Sequence, residues 1–319
     1  MVESKPILTI AIPTYNRCQF LDKSLGLIES QIMEYGNCIE LLVSDNCSTD
    51  ATFEVVRRRM ESGLRLKYIR NSENIGMDGN FVQCFKSATA SYIWVLGDDD
   101  FLRAGAIGDV IEVLRNAEVG LLHLSAKAGV KSRWTEYTDP RAFLKEVSYW
   151  ITFISANIVN SQYVGQIEFE KYMGSYFTII PLYMLAAGAQ SMNCIMYHSV
   201  LDRALDGQNN GGYNYYEIFA HNYPKIWLQA GALAGLTKLD LEVEKARLFV
   251  RHILPFTYRL LFCGKLGRFD VSNAWGYLLS AYWYHLYVYP LLLAMWIKSV
   301  ARNFMRWLRF GKTKRLAKR

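Results

Sequence analysis

Residues 92–101 read YIWVLGDDDF, an apolar run followed by glycine and three consecutive aspartates. The run has the length and composition of a buried strand, and the acidic turn marks its end. Adjacent carboxylates repel one another, so they stay ionised only where a cation or several hydrogen-bond donors compensate them. The stretch therefore predicts a buried strand that carries a charged site at its carboxyl end.

Two earlier apolar runs end in the same way. Residues 7–12 stop at PTYNR (13–17), and residues 39–43 stop at SDNCSTD (44–50). Residues 66–69 and 120–124 read as further strands, and apolar residues recur at helical spacing between the strands, over residues 20–32, 53–60, 81–88 and 104–115. This alternation predicts an α/β fold with a doubly wound, mostly parallel sheet over the first 125 residues.

Ligands of such sheets bind beyond the carboxyl ends of the strands, where all three polar clusters fall. Mg²⁺ and Mn²⁺ take oxygen ligands, commonly one or two carboxylates together with substrate phosphates. The aspartates at 98–100 therefore favour a metal–diphosphate site; the alternative is a solvated acidic turn that caps the next helix. PTYNR offers amides, a hydroxyl and an aromatic face to a nucleotide, or is an ordinary turn with Asn16 as its cap.

Four motifs taken in order, PTYNR (13–17), VSDNCSTD (43–50), NSENIGMDGNF (71–81) and YIWVLGDDDFL (92–102), resemble the family 2 glycosyltransferases of the GT-A fold. Within that family they resemble bacterial enzymes of O-antigen or capsule assembly, of the abequosyltransferase-like type. The resemblance covers residues 6–115 well and residues 143–203 loosely. It implies an inverting transferase that uses Mn²⁺ or Mg²⁺ to move a sugar from a nucleotide diphosphate donor to a lipid-linked or saccharide acceptor.

The resemblance also implies roles for single residues. It lines the nucleotide pocket with four neighbours, Pro13, Thr14, Tyr15 and Asn16. Asp45 would approach the base or ribose. Asp98 would contact the ribose and share the metal with Asp99, the main metal ligand. Asp100 would belong to the catalytic group, and Arg203 would contact a phosphate or form an internal ion pair.

The sequence departs from the family pattern in two places. Ser44 stands where a carboxylate is common, so we expect a donor base other than uracil. The second departure concerns the catalytic base, because no acidic motif precedes the expected helix. Glu170 is the nearest acid there, and four further residues are rival candidates: Glu168, Asp202, Asp206 and His198. Each of these is also compatible with an ordinary surface residue.

Charge and cysteine usage bear on location. The net charge is +7, yet nine basic and no acidic residues lie between Lys298 and the end, so the basicity belongs to a tail. The six cysteines form no C-x-x-C pair, and the polar start of the chain does not resemble a signal peptide. We expect a cytoplasmic protein with reduced cysteines and no zinc site.

The C-terminal region predicts membrane association. Residues 277–297 are hydrophobic over about the ~20 residues that span a bilayer, but they contain His285 and Pro290. Residues 298–310 place basic side chains at helical spacing, as in an amphipathic helix on anionic lipid. We expect a peripheral, monotopic protein on the cytoplasmic face of the inner membrane, with no nucleic-acid partner. The alternative is an aromatic core helix followed by a solvated tail.

These patterns predict three parts. Residues 1–205 form the GT-A domain, with a nucleotide-binding half (1–125) and an acceptor half (126–205). Residues 206–270 hold a lid loop (206–216) and helices, and residues 271–319 form the membrane-associating extension. Two other functions share some of these features, a sugar nucleotidyltransferase and a non-catalytic nucleotide-binding subunit. The intact aspartate cluster and PTYNR favour the transferase.

Overall fold

The computed structural model describes residues 5–127, 130, 132–197, 200–203, 211–263 and 268–316. The chain forms two compact units. The first, here called the sheet unit, comprises Met1–Leu205 and Ile226–Leu241; the second, the helical unit, comprises Asp206–Lys225 and Glu242–Arg319. The sheet unit thus includes a short segment, residues 226–241, that was expected to belong to the helical part.

The first half of the sheet unit alternates strands and helices as predicted. Its parallel strands are β1 (Leu8–Thr14), β2 (Ile39–Asp45), β3 (Lys67–Arg70) and β4 (Tyr92–Val95). The helices that connect or follow them are α1 (Cys18–Ile32), α2 (Thr52–Glu61), α3 (Gly76–Ser87) and α4 (Ala106–Asn116). β1 lies between β2 and β4, and Leu8 faces Ile39 on one side and Tyr92 on the other.

The complete sheet has eight strands in the order β3-β2-β1-β4-β8-β6-β9-β7 and is mixed. β8 (Asn157–Asn160) lies antiparallel between β4 and β6 (Leu121–Leu124), so the fifth predicted strand is not beside the fourth. β9 (Asn193–Met196) is parallel to β6, and the edge strand β7 (Trp134–Tyr137) is antiparallel to β9. The prediction of a mostly parallel sheet is thus confirmed, since β6 runs in the same direction as β1–β4, and the later strands β8 and β7 are the antiparallel ones of this sheet.

The remaining elements of the sheet unit are short. β5 (Asp100–Leu102) and β10 (Leu201–Arg203) form a separate antiparallel ribbon. α5 (Pro140–Val147) and α6 (Ile180–Ala189) belong to the second half of the unit. Asp139 caps α5 by accepting a hydrogen bond from the Arg141 amide, and proline occupies its first turn.

Burial follows the predicted pattern in the first half. Every residue of β1 is buried, as expected for a central parallel strand. Leu21, Leu25 and Ile28 recur at helical spacing on α1 and are fully buried. Trp94 of β4 is also fully buried, and its indole Nε1 donates to the Ser155 carbonyl at 2.8 Å. This packing fixes the carboxyl ends of the strands, where the polar clusters lie.

The helical unit contains β11 (Gly211–Asn214) parallel to β12 (Arg268–Asp270), and the helices α9 (Leu254–Thr257), α10 (Ala274–Tyr282) and α11 (Val288–Leu316). Helices α7 (Tyr223–Ala230) and α8 (Lys238–Leu248) each cross a boundary between the units. Part of the predicted lid is therefore a strand, β11, and residues 206–210 lie outside the described residues.

The hydrophobic stretch 277–297 is not one helix. α10 ends at Tyr282, residues 283–287 form turns, and α11 begins at Val288 with Pro290 in its first turn. Proline is tolerated there because the first amides of a helix have no partner within the helix. Residues 298–310, expected to form a separate helix, continue α11. Within the described residues, no helix has the length and apolar character needed to cross a bilayer.

Candidate active site

Two of the predicted clusters meet through Thr14 and Asp98. Thr14 is the last residue of β1, and Asp98 follows the end of the neighbouring strand β4. The Thr14 Oγ1 donates a hydrogen bond to the Asp98 Oδ2 at 2.8 Å, and both residues are only 3% exposed. The carboxyl edge of the sheet therefore holds a buried carboxylate with one neutral donor beside it.

Arg17 supplies the positive charge of this site. Its Nη1 lies 3.0 Å from the Asp98 Oδ1, and its Nη2 lies 2.6 Å from the Asp99 Oδ2. The guanidinium also lies 4.7 Å from the centroid of the Phe20 ring, within cation–π range. One cation thus bridges two carboxylates. Arg17 received no role in the sequence-based site, although it ends PTYNR and directly follows the predicted pocket residues.

The environment of Asp98 disfavours its negative charge. Burial is the largest influence and raises the pKa of this carboxyl from its ordinary value of 3.8 to about 7. Arg17 and the Thr14 hydroxyl act in the opposite direction, and the charges of Asp99 and Asp100 add to the increase. Since one guanidinium does not offset this burial, a second cation near Asp98 would favour the ionised form.

Asp100 is held by a different partner. The Ser155 Oγ donates to the Asp100 Oδ2 at 2.7 Å and accepts from the Gly97 amide at 2.8 Å. A Cβ at Gly97 would lie 2.9 Å from the same Asp100 oxygen, closer than real contacts allow. A larger residue here would displace the Asp100 carboxylate, and Ser155, absent from the sequence-based site, joins Gly97 to Asp100. The four-residue strand β8 begins two residues later and gives no sequence signal for such a contact.

Asp45 is fully buried at the end of β2. Its Oδ2 accepts from the Tyr68 hydroxyl at 2.6 Å, and its Oδ1 accepts from the Ser48 amide at 2.8 Å. The Arg70 Nε lies 3.7 Å from the same Oδ2. Because β1 and β2 pair Thr14 with Asp45, this carboxylate lies one strand away from the Thr14–Asp98 contact.

Ser44 does not take the position expected from the sequence. Its hydroxyl donates to the Asn80 Oδ1 at 2.7 Å, and the Asn80 amide returns a bond of 3.0 Å to the Ser44 carbonyl. Successive side chains on a strand point to opposite faces, so Ser44 faces α3 while Asp45 faces away from it. The base other than uracil, which was expected from Ser44, stays a prediction.

Asn16 joins two of the loops rather than capping α1. It adopts a positive φ of 53°, and its Oδ1 accepts from the amides of Thr49 at 2.7 Å and Asp50 at 3.3 Å. Asp50 in turn accepts from the first amide of α1, Cys18, at 3.0 Å and from that of α2, Thr52, at 3.1 Å. The loops after β1 and β2 are thus tied into one polar edge.

The part of the chain that forms this polar edge is similar to known proteins. Residues 9–166 match the family described as Glycosyl transferase family 2. This part of the chain is a family 2 glycosyltransferase domain. It includes β1, the acidic turn and Ser155, which are the elements that build the polar edge.

Two curated relatives are similar to part of this chain. The abequosyltransferase RfbV of Salmonella typhimurium is 38% identical over 97 residues, 30% of this chain and 29% of the relative. The GalNAc(5)-diNAcBac-PP-undecaprenol beta-1,3-glucosyltransferase of Campylobacter jejuni is 31% identical over 120 residues, 37% of each chain. The matches thus span about a third of the length of these relatives.

Solved structures resemble the fold over a longer range. S. aureus TarS 1–349 in complex with UDP-GlcNAc aligns with a TM-score of 0.60 and 17% identity, covering 86% of this chain and 79% of that one. The mannosyltransferase PcManGT from Pyrobaculum calidifontis aligns with a TM-score of 0.51 and 17% identity, over 93% and 88% of the two chains. At these identities the similarity establishes the GT-A-like fold with a mixed, mostly parallel sheet.

The remaining predicted pocket residues of the glycosyltransferase domain lie around this edge. Pro13 is buried in β1, and Tyr15 follows the strand with 43% of its surface exposed. Arg203 pairs with Asp100 in the β5–β10 ribbon, so its backbone lies directly beside the acidic turn. The structure therefore brings the nucleotide-pocket residues and Arg203 to one edge of the sheet.

The predicted catalytic base lies elsewhere. Glu170 pairs with Lys86 at 3.1 Å, and its side chain is 73% exposed. Lys86 is in the last turn of α3, at the sheet edge where β4 begins, whereas the aspartates follow the end of β4. Glu168 pairs with Lys171 on the surface. The structure thus gives no support to a catalytic role for Glu170.

Asp202, in contrast, lies beside the acidic turn. It pairs with Phe101 in the β5–β10 ribbon, and its Oδ1 lies 3.1 Å from the Arg103 Nε. His198 and Asp206 lie outside the described residues. Among the candidate bases that the structure describes, Asp202 is therefore the one that the fold places next to the aspartates.

The carboxylates suit a metal shared with a substrate. Among the residues that the structure describes, no three His, Cys, Asp or Glu side chains converge as a complete metal cage. Mg²⁺ and Mn²⁺ are nevertheless held by one or two carboxylates when phosphates supply further oxygens. Asp98 and Asp99 already converge on one cation, the Arg17 guanidinium. The donor set therefore fits a metal–diphosphate complex better than a metal alone.

Proposed function

We propose that this protein transfers a sugar from a nucleotide diphosphate donor to a lipid-linked or saccharide acceptor in bacterial surface polysaccharide synthesis. The observation that carries the proposal is the convergence of Asp98 and Asp99 on one cation at the carboxyl edge of the sheet. The undecaprenol-linked glucosyltransferase among the relatives supports a lipid-linked acceptor, and the abequosyltransferase supports transfer of a sugar.

The donor would lie along the polar edge. Asp45 would receive the base or ribose at the end of β2, and Asp98 would contact the ribose beside Thr14. Asp99 and Asp98 would hold Mn²⁺ or Mg²⁺, which as a Lewis acid would stabilise the leaving nucleotide diphosphate. Arg203, whose backbone pairs with Asp100, would approach a phosphate. Asp100 would keep the acidic turn in shape through Ser155.

An inverting transfer needs a base within hydrogen-bond reach of the acceptor hydroxyl. Asp202 is the better candidate than Glu170, because it lies in the strand that pairs with β5 and Glu170 lies toward the opposite end of α3. The acceptor would then approach from the side of the β5–β10 ribbon, where Asp202 lies.

The helical unit would bind the inner membrane at its cytoplasmic face. On α11, five large side chains recur on one helical face and are about half exposed: Tyr289, Leu293, Trp296, Ile297 and Val300. Trp283 and Leu286, in the turn before α11, are 64% and 82% exposed. Aromatic and aliphatic side chains beside a basic segment are typical of monotopic attachment to anionic lipid.

The experiment is donor turnover with a panel of UDP, GDP, CDP and dTDP sugars, followed as release of nucleotide diphosphate. We expect one donor to turn over with Mn²⁺ or Mg²⁺, and not in chelator or in Asp99→Ala. Glu61→Ala is the matched control, because it removes an exposed carboxylate that lies in a surface ion pair. Full turnover in chelator, or in Asp99→Ala, would contradict the metal mechanism. Consumption of the donor only when pyrophosphate is added, with formation of a nucleoside triphosphate and a sugar phosphate, would instead indicate a nucleotidyltransferase.

A further inference from the structure

Arg17 contacts one oxygen of each of the two carboxylates that are proposed to bind the metal. The Asp98 Oδ1 and the Asp99 Oδ2 both contact its guanidinium, and the other Asp98 oxygen accepts from Thr14. Both oxygens of Asp98 therefore have a partner within the protein. Each oxygen can still accept a second ligand, but a divalent cation on Asp98 would then share the carboxylate with the guanidinium, at a distance where the two positive charges repel each other.

Release of Arg17 is easier than release of Thr14. Thr14 belongs to a fully buried strand, whereas the Arg17 side chain is 30% exposed at the start of α1. A guanidinium and a divalent cation repel each other at close range. Both would have to bind the same two carboxylates, those of Asp98 and Asp99. A bound cation would therefore favour a position of Arg17 outside the carboxylate pair.

The donor itself offers that position. Guanidinium groups bind phosphate oxygens in the same forked geometry in which they bind carboxylates. A diphosphate held by a metal on Asp99 would lie within a side-chain length of Arg17, which contacts the same carboxylate. The cation and the diphosphate would thus exchange partners with Arg17 in a single rearrangement.

We infer that Arg17 is an exchangeable counter-ion, which holds Asp98 and Asp99 before the donor binds and moves to the donor diphosphate when a metal takes the carboxylates. This role rests on the proposed function, since it presumes a metal-bound nucleotide diphosphate. It makes the affinities for metal and nucleotide depend on each other, because each ligand stabilises the arrangement that the other requires.

The test measures binding, without turnover. Free Mn²⁺ is titrated with protein and followed by its paramagnetic resonance, first alone and then with saturating UDP or GDP. We expect Arg17→Ala to bind Mn²⁺ alone about tenfold more tightly than the wild type, because a competing charge is gone. We expect it to bind the nucleotide, in the presence of Mn²⁺, about tenfold more weakly, because a phosphate contact is lost.

Two further variants define the comparison. Arg17→Lys keeps the charge but not the fork that bridges two carboxylates, so we expect about a threefold gain in Mn²⁺ affinity. This variant also serves if Arg17→Ala does not fold. Arg58→Ala removes an equal charge from an exposed ion pair with Asp22 in the same unit, and we expect no change in either affinity.

The outcomes separate this inference from the proposed function. If the Arg17 variants bind Mn²⁺ alone no more tightly than the wild type, Arg17 is a structural ion pair and the inference is wrong. If the wild type binds Mn²⁺ neither alone nor with UDP or GDP, the proposed metal–diphosphate site is wrong instead. A gain in metal affinity accompanied by unchanged nucleotide affinity would also overturn the exchange, since it would leave Arg17 without a second position.

Discussion

Replacing Asp98 with asparagine should remove a loss of stability that the ligand-free protein undergoes as the pH rises from about 5 to about 8. Burial raises the pKa of Asp98 to about 7, against an ordinary value of 3.8. Between these two values the folded state binds more protons at this residue than the unfolded state. The free energy of unfolding of the wild type therefore decreases as pH rises through this window. Asparagine, which does not titrate, lacks this decrease.

The size of the effect follows from the two pKa values. From about pH 5 to about pH 8, linkage gives a loss of about 2 to 3 kcal/mol in the wild type relative to Asp98→Asn. Asp98 is 3% exposed, so solvent screening removes little of this difference. The assay is urea unfolding of both proteins in chelator at several pH values, followed by tryptophan fluorescence.

A second carboxylate serves as the control. Hydrogen bonds from the Thr237 hydroxyl and amide, and the nearby Arg141, lower the pKa of Asp240 to about 2. This group is ionised in both states from pH 5 to 8, so the difference between Asp240→Asn and the wild type should not change over that range. If the difference between Asp98→Asn and the wild type is equally flat, the buried carboxylate is compensated and the reasoning fails.

Three further predictions concern the turn, the base and the membrane face. Ser155→Ala should lower the free energy of unfolding by about 1 to 3 kcal/mol in urea titrations, because two buried hydrogen bonds are lost. Asp202→Asn should lower kcat about a hundredfold or more, as expected for loss of a general base, when release of nucleotide diphosphate is followed with acceptor present. Glu170→Gln should leave kcat unchanged, and the reverse result would favour Glu170 as the base. Leu293→Ser with Trp296→Ser should reduce flotation on anionic liposomes, while circular dichroism stays that of the wild type; equal flotation would argue against this face.

The first four strands could be predicted because each is a continuous apolar run. Central parallel strands are buried on both faces, so they read directly from the sequence. β8 could not be predicted in the same way. It contains four residues, NIVN, preceded by short 3-10 turns, and it pairs with β4 and β6, which lie far from it in sequence. No local pattern specifies such an insertion between two strands.

The sequence was sufficient to predict which strand ends carry the site, but not the contacts between its side chains. The sequence placed Thr14, Asp98 and Asp99 at one edge, and the structure joins the first two by a hydrogen bond. The bridge from Arg17 depends on side-chain direction across 82 residues of sequence, which strand patterns do not encode. The direction of the Ser44 side chain toward Asn80 could have been anticipated, because the two-residue period of a strand places Ser44 and Asp45 on opposite faces.

The same burial that weakens the ligand-free fold would strengthen donor binding. Ionised Asp98 is unfavourable where it lies, and Arg17 offsets only part of this penalty. In the proposed exchange a divalent cation takes the place of the Arg17 guanidinium and supplies one more positive charge, so it offsets more of this penalty than Arg17 does. If the proposed metal–diphosphate site exists, a more exposed aspartate would give a more stable sheet unit and a weaker site. On that proposal, the burial of Asp98 serves binding at a cost to folding.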